Sequence, residues 1–172
     1  MHLLQDKVKN FIMIRTFHFT AICAGLVVLA IDQALKFFAI GKIPENGIFL
    51  INKGWLTGKL ALTTNPDLAF GLSAGWPLKY GLIFVTLAII YALTKKLIAA
   101  QNHTLVITVA VMAGAAVSNL FDRLLWGGVI DFLSISIYNL HWPTFNLADV
   151  FITATVILLI IKWPRTQVPG KP

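Results

Sequence analysis

The chain has 172 residues, of which 58% are apolar and 12% are charged, and its mean hydropathy is +0.80. Soluble domains carry about 25% charged residues, so this composition excludes an ordinary soluble protein and indicates an integral membrane protein. The single cysteine, Cys23, excludes an internal disulfide and therefore a disulfide-stapled secreted scaffold. The net charge of +7 is informative through its distribution, because Lys and Arg set the orientation of a membrane protein.

Four apolar segments have the length expected of membrane-spanning helices. They are Phe17–Ile40, Leu78–Thr94, Thr104–Phe121 and Leu147–Trp163. A cleaved signal peptide is an alternative for the first segment. However, this apolar stretch continues to Ala39 and contains two charged residues, which is typical of a retained span.

The basic residues predict the orientation of the chain. They cluster before the first segment, between the second and third, and after the fourth: Lys7, Lys9, Arg15, Lys95, Lys96, Lys162, Arg165 and Lys171. The positive-inside rule makes this side cytoplasmic and predicts that both termini lie there. Two longer connections, Gly41–Pro77 and Asp122–Asn146, then lie outside. In the first, GWLTGKLALTTNPDLAFGL predicts short strands or a hairpin resting on the membrane surface.

Asp32 and Lys36 lie four positions apart within the first apolar segment. This spacing places them on one helix face, in the order that favours an intrahelical ion pair. An unpaired charge in hydrocarbon costs at least about 2.5 to 3.5 kcal/mol. An ion pair between Asp32 and Lys36 would leave neither charge unpaired. We interpret Asp32 and Lys36 as structural support near the outer end of the first span.

The stretch SNLFDR lies at the outer end of the third segment, and its Asn119 and Arg123 share a helix face if the helix continues through Arg123. An amide and a guanidinium on one face can point into a common cleft and bind a substrate. The alternative is a polar helix end whose arginine extends to the membrane interface. The spacing alone leaves both interpretations open.

Two acidic residues border the apolar segments near the C-terminus. Asp131 follows a Gly-Gly turn, and Asp149 begins the fourth segment, three residues after the predicted helix cap Asn146. Both acids fall at the outer membrane boundary on different elements, which permits them to meet. Two adjacent carboxylates share a proton, so one can activate water while the other donates a hydrogen bond to a scissile carbonyl. The alternative is that Asp149 only stabilises a helix N-terminus and Asp131 is a loop carboxylate.

Other catalytic chemistries have less support in the sequence. Cys23 lies deep in the first span, and His18, five residues before it, lies on the inner side in the predicted topology. No cluster of His, Cys or acidic residues has the spacing of metal ligands, and no Gly-rich phosphate loop is present. We therefore predict no metal, no cofactor and no nucleic-acid partner.

Three motifs together resemble the lipoprotein signal peptidase (signal peptidase II) family of bacterial inner-membrane aspartic proteases. They are DQALK in the first span, NLFDRLLWGGVIDF after the third, and WPTFNLADVFI entering the fourth. Several ordered motifs are harder to match by chance than one short pattern. The resemblance implies an all-α membrane protein with four transmembrane helices, a small periplasmic β-sheet and an interfacial segment.

Residue by residue, the resemblance implies that Asp131 and Asp149 form a catalytic dyad. Asn146 would orient Asp149 and help line the substrate-binding site, while Asn119 and Arg123 would position the substrate backbone. The first-span pair matches the family's DQxxK motif and is kept as structural support.

Two motifs depart from the family pattern. Asn65 matches the asparagine of the outer-loop NxGxAFG motif, which implies a substrate contact, but this chain reads NPDLAFG, with Pro66 and with Asp67 in place of the glycine. In the third span, GAAVSN stands where the family has GGALGN, with Ala115 and Ser118 replacing glycines. Small residues still permit close helix packing, so we expect the departures to affect substrate fit and rate more than fold.

The resemblance, together with the residues, implies an intramembrane aspartic endopeptidase domain at residues 1–166 and a solvated tail at residues 167–172. It would remove signal peptides from diacylglyceryl-modified prolipoproteins by cleaving before the lipidated cysteine. The predicted partners are this substrate and membrane lipid, and the enzyme is expected to act as a monomer in the bacterial inner membrane with its site toward the periplasm. A noncatalytic binder of lipidated peptides and a small ion-coupled transporter are the alternatives. Transport sites usually lie near the membrane midplane, whereas these acids lie at its outer boundary.

Overall fold

The computed structural model describes residues 2–66, 81, 84, 87–95 and 102–162, with side chains described from residue 16 onward. In chain order the elements are helix α1 (His2–Lys42), strands β1 (Ile48–Lys53) and β2 (Leu56–Asn65), helical residues 87–95 (α2), helix α3 (His103–Trp126), strands β3 (Val129–Ile137) and β4 (Leu140–His141), and helix α4 (Leu147–Lys162). Asp67 and the predicted tail at residues 167–172 lie outside the described residues, as does much of the predicted second span.

The helices carry their apolar side chains outward. Phe37 on α1 is 81% exposed and Ile160 on α4 is 73% exposed, whereas Asp32 and Lys36 are buried. Exposed apolar side chains together with buried, paired charges are the arrangement that hydrocarbon favours. By length and composition, two helical stretches within the described part of the chain could cross a membrane, Thr16–Lys42 and all of α3.

Helix α3 is longer than the apolar pattern predicts. The side chain of Asn102 accepts a hydrogen bond from the Leu105 N–H at the start, and Gly127, with φ of 74°, ends the helix in the left-handed conformation. The predicted segment ends at Phe121, where the charged residues begin. Asp122 and Arg123 therefore lie on the last turns of α3 and not in an outer connection, because the helix ends at its glycine cap and not where hydropathy falls.

Helices α1 and α3 approach each other closely at two glycines. A Cβ atom at Gly25 would lie 2.5 Å from the carbonyl oxygen of Ala110, and a Cβ atom at Gly114 would overlap the backbone of Gly25. Only residues without side chains allow this backbone contact. Further along, Val28 of α1, Ala115 of α3 and Ala148 of α4 form a buried cluster.

The four strands form one antiparallel sheet in the order β1-β2-β3-β4. The sequence predicts strands in the first outer connection, and β1 and β2 lie there. Strands β3 and β4 come from the second connection, so a single sheet joins both. In the β2–β3 register Thr63 pairs with Asp131 and Asn65 pairs with Val129, which brings the end of β2 beside an acid of β3.

The link between α3 and β3 depends on close backbone approach at Gly128. A Cβ atom at this position would lie 2.8 Å from the carbonyl oxygen of Asn65 and 3.0 Å from the Pro66 nitrogen. A larger residue would push the end of β2 away. Gly128 therefore helps to set where Asn65 stands relative to β3.

Candidate active site

Two carboxylates enter the site from different elements. Asp131 lies in β3 and is 2% exposed, and Asp149 lies in the first turn of α4. After burial, the nearby Asp149 carboxylate is the next largest cause that raises the pKa of Asp131. Asp131, which the alternative interpretation placed in a loop, lies in a strand.

Two asparagines bridge the carboxylates. Asn146 Nδ2 donates to Asp131 Oδ1 at 2.7 Å and to Asn119 Oδ1 at 3.1 Å, while Asn119 Nδ2 donates to Asp149 Oδ1 at 2.9 Å. Asn146 is fully buried, so its amide has little freedom to find other partners. The two amides therefore hold Asp131 and Asp149 in a fixed relation.

Asn146 also caps helix α4. Its Oδ1 accepts from the backbone N–H of Asp149 at 2.9 Å, and Asp149 Oδ2 accepts from the backbone N–H of Asn146 at 3.3 Å. This reciprocal pattern is a capping box, which satisfies helix N–H groups that would otherwise lack partners. The same contacts fix the Asp149 side chain at the helix N-terminus.

Lys36 connects the site to the helix core. Its ammonium lies 2.7 Å from Asp32 Oδ2, 2.7 Å from Asp122 Oδ2 and 2.8 Å from Asn119 Oδ1. An ammonium has three N–H donors, and all three are used. The four-residue spacing predicts the contact with Asp32, but it does not reveal the contacts with α3. Through Asn119, the Lys36 charge lies one hydrogen-bonded residue away from Asp149.

The two acids that pair with Lys36 also bind backbone amides. Asp32 Oδ1 accepts from the Ala148 N–H of α4 at 2.8 Å, and Asp122 Oδ2 accepts from the Ile130 N–H of β3 at 3.1 Å. Each of these amides belongs to a residue adjacent to a candidate catalytic acid. The buried charges thus anchor both α4 and β3 to the α1–α3 pair.

Asn65 and Arg123 border the carboxylates. Asn65 Nδ2 donates to Asp131 Oδ2 over a long 3.4 Å. Arg123 Nη1 donates to the Asn119 carbonyl oxygen at 3.0 Å, but its Nε is buried and has no hydrogen-bond partner within the described chain. A buried N–H group without an acceptor costs free energy unless a bound ligand supplies the acceptor.

The pKa of Asp131 is raised from its ordinary value of 3.8 to about 6. Burial is the largest cause, and repulsion from Asp149 adds to it. Hydrogen bonds from Asn146 and Asn65 and the charge of Lys36 act in the opposite direction. Asp131 can therefore keep a proton at a pH where an exposed aspartate is ionised.

This raised pKa predicts a dependence of stability on pH. A group whose pKa is raised by folding contributes most below its unfolded pKa, and the contribution is lost as pH rises through the folded value, here about 6. We expect wild-type protein to lose more stability between about pH 4 and about pH 7 than Asp131→Asn, which has no carboxyl there. Thermal unfolding in detergent at both pH values measures this difference, and an equal pH dependence of the two proteins would contradict it.

The structure brings the predicted site residues together. Direct hydrogen bonds connect the six predicted catalytic and substrate-binding residues: Asn65, Asn119, Arg123, Asp131, Asn146 and Asp149. Sequence reasoning missed Gln33, whose Nε2 has three acceptors within reach of its two N–H donors: Asp122 Oδ1 at 2.8 Å, Ser118 Oγ at 2.9 Å and the Ser118 carbonyl oxygen at 3.1 Å. The available signal was a polar residue inside an apolar run.

Comparisons with known proteins agree on one family. The family described as Signal peptidase (SPase) II matches residues 24–164. A lipoprotein signal peptidase of Syntrophus aciditrophicus is 35% identical over 151 residues, covering 85% of this chain and 92% of that protein. Another from Chlorobium phaeobacteroides is 35% identical over 155 residues, covering 84% and 94% respectively.

A solved structure of a bacterial membrane enzyme, determined by the in meso method at 1.9 Å resolution, has a TM-score of 0.68 to this chain. It is 27% identical, and the match covers 86% of this chain and 94% of that one. The family match spans most of the chain and includes all the predicted site residues. The protein therefore belongs to the signal peptidase II family of membrane-embedded aspartic peptidases.

Proposed function

We propose that this protein is an intramembrane aspartic endopeptidase that removes signal peptides from diacylglyceryl-modified prolipoproteins, cleaving before the lipidated cysteine. One observation carries the proposal: Asp131 and Asp149, on separate elements, are bridged by Asn146 and Asn119 at one end of apolar helices. Aspartic proteases work with two carboxylates that share one proton. Family membership supports the same activity.

In this proposal the two acids have different roles. Asp131, with its raised pKa, carries the shared proton, whereas the N-terminus of α4 favours the ionised form of Asp149. Asp149 takes a proton from water as the water oxygen bonds to the scissile carbonyl carbon, and Asp131 protonates the carbonyl oxygen. When the C–N bond breaks, Asp149 gives its proton to the leaving nitrogen, and one hydroxyl of the intermediate returns a proton to Asp131.

The surrounding polar residues are proposed to position the substrate and the acids. Asn119 and Asn146 orient the carboxylates through the hydrogen bonds described above. Arg123 is proposed to bind a substrate carbonyl, since its buried Nε lacks a partner among the described residues. Asn65, at the end of β2, is proposed to contact the peptide next to Asp131.

We also propose how the protein lies in the bacterial inner membrane. The candidate site lies near the C-terminal ends of α1 and α3 and the N-terminal end of α4, so its polar groups share one end of the helices. The sheet adjoins this end, and the residues beside its strands expose Trp55, Tyr138 and Trp142, which is typical of a membrane-interface surface. We therefore propose that the chain spans the membrane four times, with both termini in the cytoplasm and the candidate site facing the periplasm.

The same arrangement suits a lipidated substrate. A diacylglyceryl group partitions into the outer leaflet, at the depth where the carboxylates are proposed to lie. Lipid is therefore proposed as a second partner. Residues 1–166 are proposed to act as a single monomeric peptidase domain, with residues 167–172 as a tail.

A gel-shift cleavage assay in detergent tests the proposed activity. Purified protein is incubated with a diacylglyceryl-modified prolipoprotein and, as a matched control, with the same precursor lacking the lipid. We expect cleavage of the modified precursor and little or none of the unmodified one, because lipid brings the scissile bond to the membrane-level site.

The other outcomes separate the alternative functions. Binding of the modified precursor without cleavage would contradict the peptidase proposal and favour a noncatalytic binder. Proton flux across liposomes that contain the protein, without any cleavage, would favour a transporter.

A further inference from the structure

We propose that Ser118 is a positioning residue for Asp149 and acts through the carboxylate of Asp32. This inference rests on the proposed peptidase function and extends it to a side chain away from the reacting atoms. Ser118 is fully buried on α3, and its Oγ lies 2.6 Å from Asp32 Oδ2. The hydroxyl and the carboxylate are close enough for a strong charge-assisted hydrogen bond.

The direction of this hydrogen bond follows from the neighbours of Ser118. Gln33 Nε2 lies 2.9 Å from Ser118 Oγ and donates to it. The hydroxyl proton must therefore point elsewhere, and Asp32 Oδ2 is the acceptor within reach. Gln33, Ser118 and Asp32 thus form an ordered chain of donors that ends on a buried carboxylate.

Two routes connect Asp32 to the candidate catalytic acid. In the first, Asp32 Oδ1 accepts the N–H of Ala148, the residue before Asp149. In the second, Asp32 pairs with Lys36, Lys36 binds Asn119, and Asn119 donates to Asp149. An Asp32 carboxylate that rotates disturbs both routes together. The Ser118 hydroxyl opposes this rotation because it holds one oxygen while Ala148 holds the other.

Replacing Ser118 with alanine is a mild change that isolates this role. Gln33 Nε2 keeps two other acceptors, the Ser118 carbonyl oxygen at 3.1 Å and Asp122 Oδ1 at 2.8 Å, so no buried donor loses its last partner. Asp32 keeps Lys36 as its counterion. Alanine also suits a helix interior. The variant is therefore expected to fold.

The test compares Ser118→Ala with wild type and with Thr108→Val. Thr108 is a matched control because it is also buried on α3, and its hydroxyl binds only the Thr104 carbonyl oxygen of its own helix among the described contacts. For Ser118→Ala we expect kcat for a diacylglyceryl-modified prolipoprotein to fall about threefold to tenfold, with KM unchanged, at equal folded concentration. Thr108→Val should leave both constants at wild-type values.

Amide hydrogen exchange gives a readout that does not depend on cleavage. In Ser118→Ala the Ala148 N–H should exchange faster than in wild type, whereas amides near the C-terminal end of α4 should not change. In Thr108→Val the Ala148 amide should keep its wild-type rate. If wild type fails to cleave any precursor, the proposed function fails, and the Ala148 amide still decides whether Ser118 positions Asp32.

A double-mutant cycle tests whether the effect passes through Asp32. In an Asp32→Asn background, Ser118→Ala should have little further effect on kcat or on Ala148 exchange. Full additivity of the two changes would overturn the proposal. A wild-type kcat together with wild-type exchange in Ser118→Ala would also overturn it.

Discussion

Asp149→Asn is expected to lower the rate of prolipoprotein cleavage by about 10²- to 10⁴-fold or more. The amide keeps the size of the side chain and can still accept the hydrogen bond from Asn119, but it cannot take a proton from water. Asp131→Asn should have a comparable effect, because it removes the other half of the proton-sharing pair. The measurement is the initial rate of signal-peptide release at equal folded yield.

The matched control for these variants is Glu45→Gln. Glu45 is exposed in the turn between α1 and β1. Its replacement by glutamine removes one negative charge but changes none of the site residues. We expect it to cleave at the wild-type rate. If Asp149→Asn retained more than about a tenth of the wild-type rate while folded, general base catalysis by Asp149 would be ruled out.

Lys36→Met is expected to lower the free energy of unfolding by about 3 to 5 kcal/mol. Methionine fills a similar volume but leaves Asp32 and Asp122 buried without their counterion, since both pair with Lys36 at 2.7 Å. The loss comes from uncompensated buried charge and not from lost packing. Unfolding in mixed micelles, followed by circular dichroism during titration with a denaturing detergent, measures the difference.

Lys53→Met is the control for this prediction. Lys53 is exposed on strand β1, and an exposed charge contributes little to stability. We expect a change below about 1 kcal/mol for this variant. Equal losses in Lys36→Met and Lys53→Met would show that the buried charges are not the cause.

Much of the fold follows from sequence pattern alone. The predicted first and third apolar segments fall within α1 and α3, and the predicted fourth segment begins with α4 at Leu147, because runs of apolar residues with few charges favour helices in hydrocarbon. The C-terminal end of α3 could not be predicted from the apolar pattern, since the helix ends at Gly127 and not where hydropathy falls. The pairing of the four strands in one sheet could not be predicted either, because the strands come from two connections that are far apart in the sequence.

The candidate site was predictable as a set of residues but not as an arrangement. Ionisable residues at the edges of apolar runs are unusual, so Asp131, Asp149 and Arg123 stand out in the sequence. Their separation along the chain says nothing about which of them share hydrogen bonds. The part played by Ser118 was also hidden, since a single hydroxyl in a helix has no sequence signature of its partner.

The sequence by itself determined that this protein is a membrane protein with acids at the edges of its apolar segments, because hydropathy and charge are local properties. Its motifs were also sufficient to indicate the signal peptidase II family. Only the tertiary structure decided that Lys36 bonds to Asn119 as well as to Asp32 and Asp122, and that Asn146 bridges Asp131 to Asn119. These contacts depend on how α1 crosses α3 and where β3 meets α4. Such geometry results from the packing of distant segments, which no short stretch of sequence encodes.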